Sequence, residues 1–127
     1  MTYYKVLIKG FVGWHSQCSK YQVYYKCNKW VYPTIPKSKL FVFNDLQAAI
    51  NFKNELVGCM LRPLGMIQIF KCEVQKPAKI QSIARDTQDI EDFWRKKAYR
   101  KKLDDYLCTE PLPNTVICDA VKIGKKV

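Results

Sequence analysis

The sequence predicts an α+β fold in which two helices pack on a mostly antiparallel sheet of about four to six strands. Three observations lead to this prediction. Short β-branched and aromatic segments recur along the 127 residues, and two other segments carry apolar residues at helical spacing. Strands and helices do not alternate regularly, as they would in a parallel sheet. The length and the lack of a linker-like segment predict a single domain over residues 1–127.

The first half of the chain carries three strand signals. Residues 3–8, YYKVLI, are β-branched and aromatic and predict a buried strand. Residues 10–20 contain two glycines and predict a loop, after which residues 21–32, YQVYYKCNKWVY, read as a bent strand or a hairpin. The prolines of residues 33–39 predict a second loop. Residues 40–43, LFVF, then form a short apolar strand.

A helix is predicted directly after this strand. Asn44 and Asp45 are good N-cap residues, and residues 45–58, DLQAAINFKNELVG, repeat apolar side chains at helical spacing. Lys53 is the only polar residue of that stripe. Gly58 is well placed to end the helix.

The second half predicts two more strands and a second helix. Residues 66–74, MIQIFKCEV, alternate and indicate a strand that is central at its start and more exposed at its end; residues 75–79, QKPAK, break it. Residues 86–103 predict the second helix, acidic at its beginning and basic at its end, as suits the helix macrodipole. Residues 115–123, TVICDAVKI, predict the final strand.

Composition and charge narrow the class of protein. Hydrophobic residues make up 48% of the chain, which excludes a disordered or low-complexity protein. No apolar run is long enough to span a membrane, and the N-terminal residues lack the pattern of a signal peptide. We therefore expect an intracellular, non-secreted protein with no membrane partner. The net charge of +11 favours an anionic partner, either nucleic acid or an acidic protein surface.

The cysteines are expected to be reduced and mostly structural. Their spacing contains no CxxC pair, which argues against a zinc knuckle or ribbon. Several lie in apolar segments, where a free cysteine acts as a small buried hydrophobe. The six are Cys18, Cys27, Cys59, Cys72, Cys108 and Cys118.

Residues with catalytic or metal-binding chemistry are few. His15 and Cys18 could be a nucleophile and its base or two metal ligands, but no third group follows at a suitable spacing, so a loop histidine is favoured. The acidic residues at the start of the second helix and Asp104 and Asp105 after it are explained by capping, the dipole and neighbouring lysines. No phosphate-binding loop, dinucleotide fingerprint or nucleophile elbow is present. The sequence favours a protein that is not an enzyme, and it predicts no cofactor and no metal.

A run of cations is the strongest functional candidate. On a helix these side chains cover a broad outer face, while Trp94 lies on the opposite, core-facing stripe. The alternative is an ordinary solvated helix surface. The absence of an intervening acid favours a polyanion-binding face that contacts several phosphates without reading sequence. The candidate polyanion-binding residues are Arg95, Lys96, Lys97, Arg100, Lys101 and Lys102.

Aromatic residues interleaved with lysines form a second candidate. Tyr24, Trp30 and Tyr32 lie in a segment that also holds Lys26 and Lys29. Such a pattern is typical of surfaces that stack the bases of single-stranded nucleic acid. The alternative is that these are ordinary sheet residues, half of them buried by alternation.

Several segments together resemble a family of small uncharacterised proteins from bacteriophages and large DNA viruses. The resemblance lies in YYKVLI, a KW pair near prolines, LFVFNDLQAAINF, IQIFKCEV and PNTVICDAVKI, in that order. It covers most of the chain, consists of apolar framework residues, and implies a fold without catalytic residues to transfer. The basic run falls outside the matching segments.

The resemblance implies a small basic viral protein located in the host cytoplasm or the virion. From it and the charge we expect binding to nucleic acid or another polyanion, within a virion or viral assembly, through the basic face of the helix 90–103. The alternative is a counter-defence protein that binds a host protein or a small anionic ligand such as a nucleotide, with Arg95, Arg100 and Trp94 as pocket residues.

Overall fold

The computed structural model describes residues 2–8, 12–13, 23–34, 37–60, 67–81, 83–84, 94–95, 108–109 and 111–127. Within these ranges the chain forms one helix and ten strands. In chain order they are β1 (Tyr3–Ile8), β2 (Val12–Gly13), β3 (Trp30–Val31), β4 (Leu40–Phe43), α1 (Leu46–Met60), β5 (Ile67–Gln75), β6 (Ala78–Lys79), β7 (Ile83–Ala84), β8 (Cys108–Thr109), β9 (Thr115–Cys118) and β10 (Ala120–Lys126).

The longer strands lie where the sequence predicts them. The strands predicted at 3–8 and 40–43 are confirmed as β1 and β4, and the alternating segment 66–74 is confirmed as β5. Burial along β5 is high at its start and falls toward its end, as expected. The aromatic segment 21–32 contributes less strand than predicted, because a turn precedes the two residues of β3.

The predicted fold class is wrong in its size and helix count. Eight strands form the main sheet, in the order β3-β10-β5-β1-β4-β9-β6 with β2 paired to β1, and β7 pairs with β8 in a separate sheet. One helix, α1, is present among the described elements, where two were predicted to pack on four to six strands. All strand pairs in the described part of the chain are antiparallel, as predicted.

The second predicted helix, over residues 86–103, lies outside the described residues except for Trp94 and Arg95. These two residues are helical.

The main sheet closes on itself through the bent strand formed by β9 and β10. β9 pairs with β4, whereas β10 pairs with β5, and only Asp119 separates them. Because β5, β1 and β4 are successive neighbours, this bend completes a circuit of strands. The Asp119 amide donates to the Gln75 carbonyl at 2.8 Å and ties the corner to the end of β5. The result is a small, closed antiparallel barrel.

The barrel interior is the main hydrophobic core. Alternate residues of β1, β4, β5, β9 and β10 point inward, including Leu7, Val42 and Ile123, and the cluster extends to Tyr25 from the segment before β3. Because the side-chain period of a strand is two, the residues between these face outward. Closure therefore buries one face of these five strands in a shared core.

The helix α1 covers part of the outer face. Ala49 is fully buried and packs with Val6, Phe43 and Ile69 in a second apolar cluster. The Asp45 carboxylate accepts a hydrogen bond from the Ala48 amide at 2.9 Å, so the predicted N-cap is confirmed. The predicted stop at Gly58 is wrong, since the helix continues to Met60.

Candidate functional site

An open groove lies on the outer face of the barrel, where β10 and β5 run side by side. It has a volume of about 510 Å³. Its described lining residues come from these two strands, from the turn before β3 and from the residue preceding β1. They are Thr2, Asn28, Lys71, Cys72, Glu73, Lys122, Ile123 and Gly124.

The strand register places a carboxylate, an ammonium and an indole in one row, two of them in the groove and the third at its edge. Lys122 of β10 pairs with Glu73 of β5 on one side and with Trp30 of β3 on the other. Directly paired residues project to the same face of a sheet. The ammonium of Lys122 lies 3.0 Å from a carboxylate oxygen of Glu73 and 5.3 Å from the centre of the Trp30 ring. The row thus presents a cation held between a carboxylate and an indole.

The backbone around this row is fixed by two local features. Asn28 adopts a left-handed conformation (φ 61°), and its amide donates to the Ile123 carbonyl at 2.9 Å. This bond fastens the turn before β3 onto β10. The pairing of β10 with β5 is irregular between Ile123 and Lys126, and a Cβ on Gly124 would lie 3.4 Å from the Lys71 carbonyl oxygen. The two strands are therefore in close contact beneath the groove.

Positive charge predominates around the groove. Lys71 lines it, and further exposed lysines occur in the turn (Lys26, Lys29) and at the end of β10 (Lys125, Lys126). Glu73 is the one acid among the described lining residues. An anion that approaches Lys122 can exchange with Glu73, since both are solvent-accessible and exposed ion pairs contribute little stability.

All three predicted stacking residues are exposed. The exposed fractions are 62% for Tyr24, 37% for Trp30 and 57% for Tyr32. Their neighbours Tyr25 and Val31 instead pack against the barrel core. Alternation thus buries part of this aromatic segment and leaves the proposed stacking residues at the surface, and Trp30 flanks the groove.

The predicted polyanion-binding run lies mostly outside the described residues. Arg95 is exposed, whereas Lys96, Lys97, Arg100, Lys101 and Lys102 are not described, and neither are His15 and Cys18. Trp94, immediately before the run, is 4% exposed, and its ring centre is 5.6 Å from that of Phe41 on β4. This burial agrees with the prediction that Trp94 faces the core. A ring that is buried in this way is not accessible to a nucleotide, so Trp94 is no longer a candidate for the alternative nucleotide pocket.

The groove residues Lys71, Glu73 and Lys122 were not among the sequence-based candidates. Two of them, Lys71 and Glu73, could have been found from the sequence. In FKCEV they alternate with a buried cysteine, so they share the opposite, outer face of the strand. The pairing of β5 with β10, which brings Glu73 next to Lys122, cannot be read from the neighbouring residues in the sequence.

A second polar cluster lies inside the barrel around Lys5. The side chain is 7% exposed, its Nζ donates to the Phe41 carbonyl at 2.6 Å, and it lies 5.2 Å from the centre of the Tyr25 ring. Desolvation lowers the pKa of Lys5 from 10.5 to about 8, although the nearby thiols of Cys118 and Cys72 oppose the shift. Lys5 is thus a buried cation with a carbonyl, rather than a carboxylate, as its hydrogen-bond acceptor.

The thiols beside Lys5 are held in their protonated form. Burial raises the pKa of Cys72 and that of Cys118 to about 12, and Lys5 acts in the opposite direction on both. Burial likewise raises the pKa of Tyr25. Because a thiolate is the reactive species, these two cysteines are poor nucleophiles. The prediction of reduced, structural cysteines is confirmed for this pair, while Cys27 is a free, exposed thiol.

The described residues contain no group of three or more histidine, cysteine, aspartate or glutamate side chains arranged to hold a metal ion. In the same part of the chain, no helix is both long and apolar enough to cross a membrane. The chain matches no protein-family model, no curated protein and no solved structure.

Proposed function

We propose that the protein binds nucleic acid through electrostatic contacts from the groove between β5 and β10 and from the basic run 95–102. The observation that carries the proposal is the row of Glu73, Lys122 and Trp30 in an open groove of a chain with net charge +11. Lysines contact phosphates, and exposed aromatic rings contact bases. Both kinds of group stand side by side here.

A linear polyanion suits this surface better than a small anion. Further exposed cations lie close to the groove residues in the chain, with Lys26 and Lys29 in the turn before β3 and Lys125 near the end of β10. A chain of phosphates can contact these positions together, whereas a single nucleotide reaches only those that line the groove. Each neutralised phosphate adds a salt-dependent contribution to affinity.

The basic run is the second binding segment in the proposal. It begins one residue after Trp94, which packs on β4, and it supplies six cations within eight residues. The resemblance to small viral proteins supports a role for this binding in a virion or viral assembly.

The proposal is tested by fluorescence anisotropy with labelled oligonucleotides at two salt concentrations. Two double variants probe the two surfaces: Lys71→Gln/Lys122→Gln for the groove and Lys97→Glu/Lys101→Glu for the run. Lys37→Gln/Lys79→Gln removes the same charge as the groove variant from exposed positions that do not line the groove. For a single strand, loss of two phosphate contacts should reduce the slope of log K against log salt by about 1.4.

The expected result is tight binding at low salt that weakens steeply as salt rises, with a reduced slope in the groove variant and a normal slope in the control. Equal slopes in the groove variant and its control would remove the groove from the proposal. Unchanged affinity in the run variant would remove the basic run. No binding at low salt would refute the nucleic-acid proposal.

A second candidate is a small anionic ligand such as a nucleotide. The groove volume of about 510 Å³ is its specific support, since pockets for such ligands span about 300–1,000 Å³. This candidate predicts saturable binding of a single nucleoside triphosphate with a shallow dependence on salt. Competition of that nucleotide with an oligonucleotide at equal phosphate concentration distinguishes the two.

A further inference from the structure

We infer that the groove is a subsite for single-stranded nucleic acid, in which an unpaired base stacks on Trp30 and the adjoining phosphate replaces Glu73 as the partner of Lys122. The inference rests on the proposed function and specifies its substrate: a strand whose bases are free, in preference to a duplex. It is carried by the positions of Trp30, Lys122, Glu73 and Lys71.

Trp30 is placed to offer its ring to a ligand. It lies on β3, whose other residue, Val31, packs toward the barrel core. Trp30 pairs with Lys122 and therefore faces outward, and it is more than one-third exposed. A large aromatic ring on an outer face can stack any of the four bases, since every base has a π-face.

The Lys122 ammonium is positioned to join a phosphate to that base. It lies over one face of the indole, 5.3 Å from the ring centre, so a base that stacks on the opposite face of Trp30 has a phosphate-binding ammonium close by. In a nucleotide the base and its phosphate are joined through one sugar, which requires this kind of adjacency. Glu73 holds Lys122 in the free protein through a 3.0 Å ion pair at an exposed position, and a phosphate can take its place.

Lys71 provides a position for a second phosphate. It lies two residues from Glu73 on the same strand and hence on the same face, about 7 Å away along β5. The bound nucleic acid would therefore cross the sheet from β3 over β10 to β5. Asn28 and Thr2 line the same groove and supply polar groups for sugar or phosphate oxygens.

A duplex cannot make the same contact. Its bases are stacked on one another inside the helix and present only their edges in the grooves. Stacking on Trp30 would require a base to be extruded, which costs free energy that a single strand does not spend. Preference for a single strand thus follows from an aromatic ring at the surface and not from charge.

The test compares two ligands of equal charge, an oligothymidylate of about ten nucleotides and an abasic phosphodiester oligomer of the same length. Binding is measured for the wild type, Trp30→Ala, Trp30→Phe and Lys71→Gln/Lys122→Gln, with thermal melting to check folding. We expect the wild type to bind the thymine oligomer roughly 5- to 150-fold more tightly than the abasic one. Trp30→Ala should lose this ratio and keep its abasic affinity, Trp30→Phe should keep most of the ratio, and the lysine variant should weaken both ligands.

Each other outcome overturns a defined part of the argument. Equal affinity of the wild type for the two oligomers refutes base stacking and leaves electrostatic binding in place. The same conclusion follows if Trp30→Ala, folded as the wild type, retains the full ratio. If Trp30→Ala does not fold, the affinity ratios of the wild type and of Trp30→Phe for the two oligomers decide whether a base stacks on residue 30. Tighter binding of a duplex of the same length refutes the single-strand preference, and no binding of either oligomer at low salt refutes the proposed function itself.

Discussion

Replacing Lys5 with methionine removes a charge from the barrel interior, and we expect this change to stabilise the protein at pH 7. Lys5 is the only charged side chain that is buried among the described residues. Methionine is unbranched, of similar length and able to fill the same space without the ammonium. Replacement of a buried ion by a well-packed apolar residue is often neutral or stabilising.

The magnitude follows from the pKa of Lys5. Its decrease from 10.5 to about 8 corresponds to roughly 3 kcal/mol of unfavourable interaction for the charged form relative to the neutral amine. Loss of the hydrogen bond to the Phe41 carbonyl offsets part of this, by about 1–2 kcal/mol. The expected net gain in the free energy of unfolding is therefore about 1–2 kcal/mol at pH 7.

The pH dependence provides an independent signature. Between pH 8 and 10.5 the unfolded state binds more protons at Lys5 than the native state does, so the stability of the wild type rises with pH across this window. Cys72 and Cys118 act oppositely from pH 9 to 12, where the native state retains protons that the unfolded state loses. Wild-type stability should peak near pH 9. The advantage of Lys5→Met should shrink steadily above pH 8.

Urea unfolding under reducing conditions at pH 7, 8 and 9, followed by circular dichroism, measures both effects. Lys37→Met, at an exposed position, serves as the control and should change stability by less than about 0.5 kcal/mol. A loss of 2 kcal/mol or more in Lys5→Met at pH 7, constant across the three pH values, would refute the reasoning. It would show that the ammonium contributes net stability through Phe41 and Tyr25.

Three further predictions concern the groove, the helix and the thiols. Glu73→Gln removes the carboxylate that competes with phosphate for Lys122, and it should tighten oligonucleotide binding several-fold at low salt. The control variant Glu55→Gln on α1 should not give a gain of that size. Weaker binding in Glu73→Gln would contradict this role. Asp45→Ala removes the hydrogen-bond acceptor of the Ala48 amide and should reduce the free energy of unfolding by about 1 kcal/mol, as measured by urea unfolding. Asp45→Asn keeps an N-cap side chain and should lose less. Equal losses in the two variants would argue against capping. Alkylation mapped by mass spectrometry should label Cys27 quickly in the native protein and should label Cys72 and Cys118 only on unfolding. Rapid labelling of either buried thiol in the native protein would contradict the burial of these thiols in the barrel.

The sequence by itself determined the local elements and the sidedness of the long strands. β1, β4 and β5 carry enough residues for alternation or a β-branched run to be visible, and Asp45 marks the start of α1. Burial of Cys72 and Cys118 followed from their apolar neighbours. These features depend on residues within a few positions of each other, and the sequence displays such relations directly.

The number of strands was predicted incorrectly for a physical reason. Five of the ten described strands, β2, β3, β6, β7 and β8, have two residues each. A two-residue strand has no periodicity to detect, and its existence depends on hydrogen bonds to a distant partner. The small sheet predicted from the sequence therefore omitted β2, β6, β7 and β8, which only tertiary pairing creates.

Only the tertiary structure decided barrel closure and the composition of the groove. The bend at Asp119 lets one continuous segment pair with β4 and then with β5, which are far from each other in the chain. This pairing also places Lys122 between Glu73 and Trp30, which are distant from it in the chain. The sequence established that cations and aromatics were available, while cross-strand register, a non-local property, determined which of them meet.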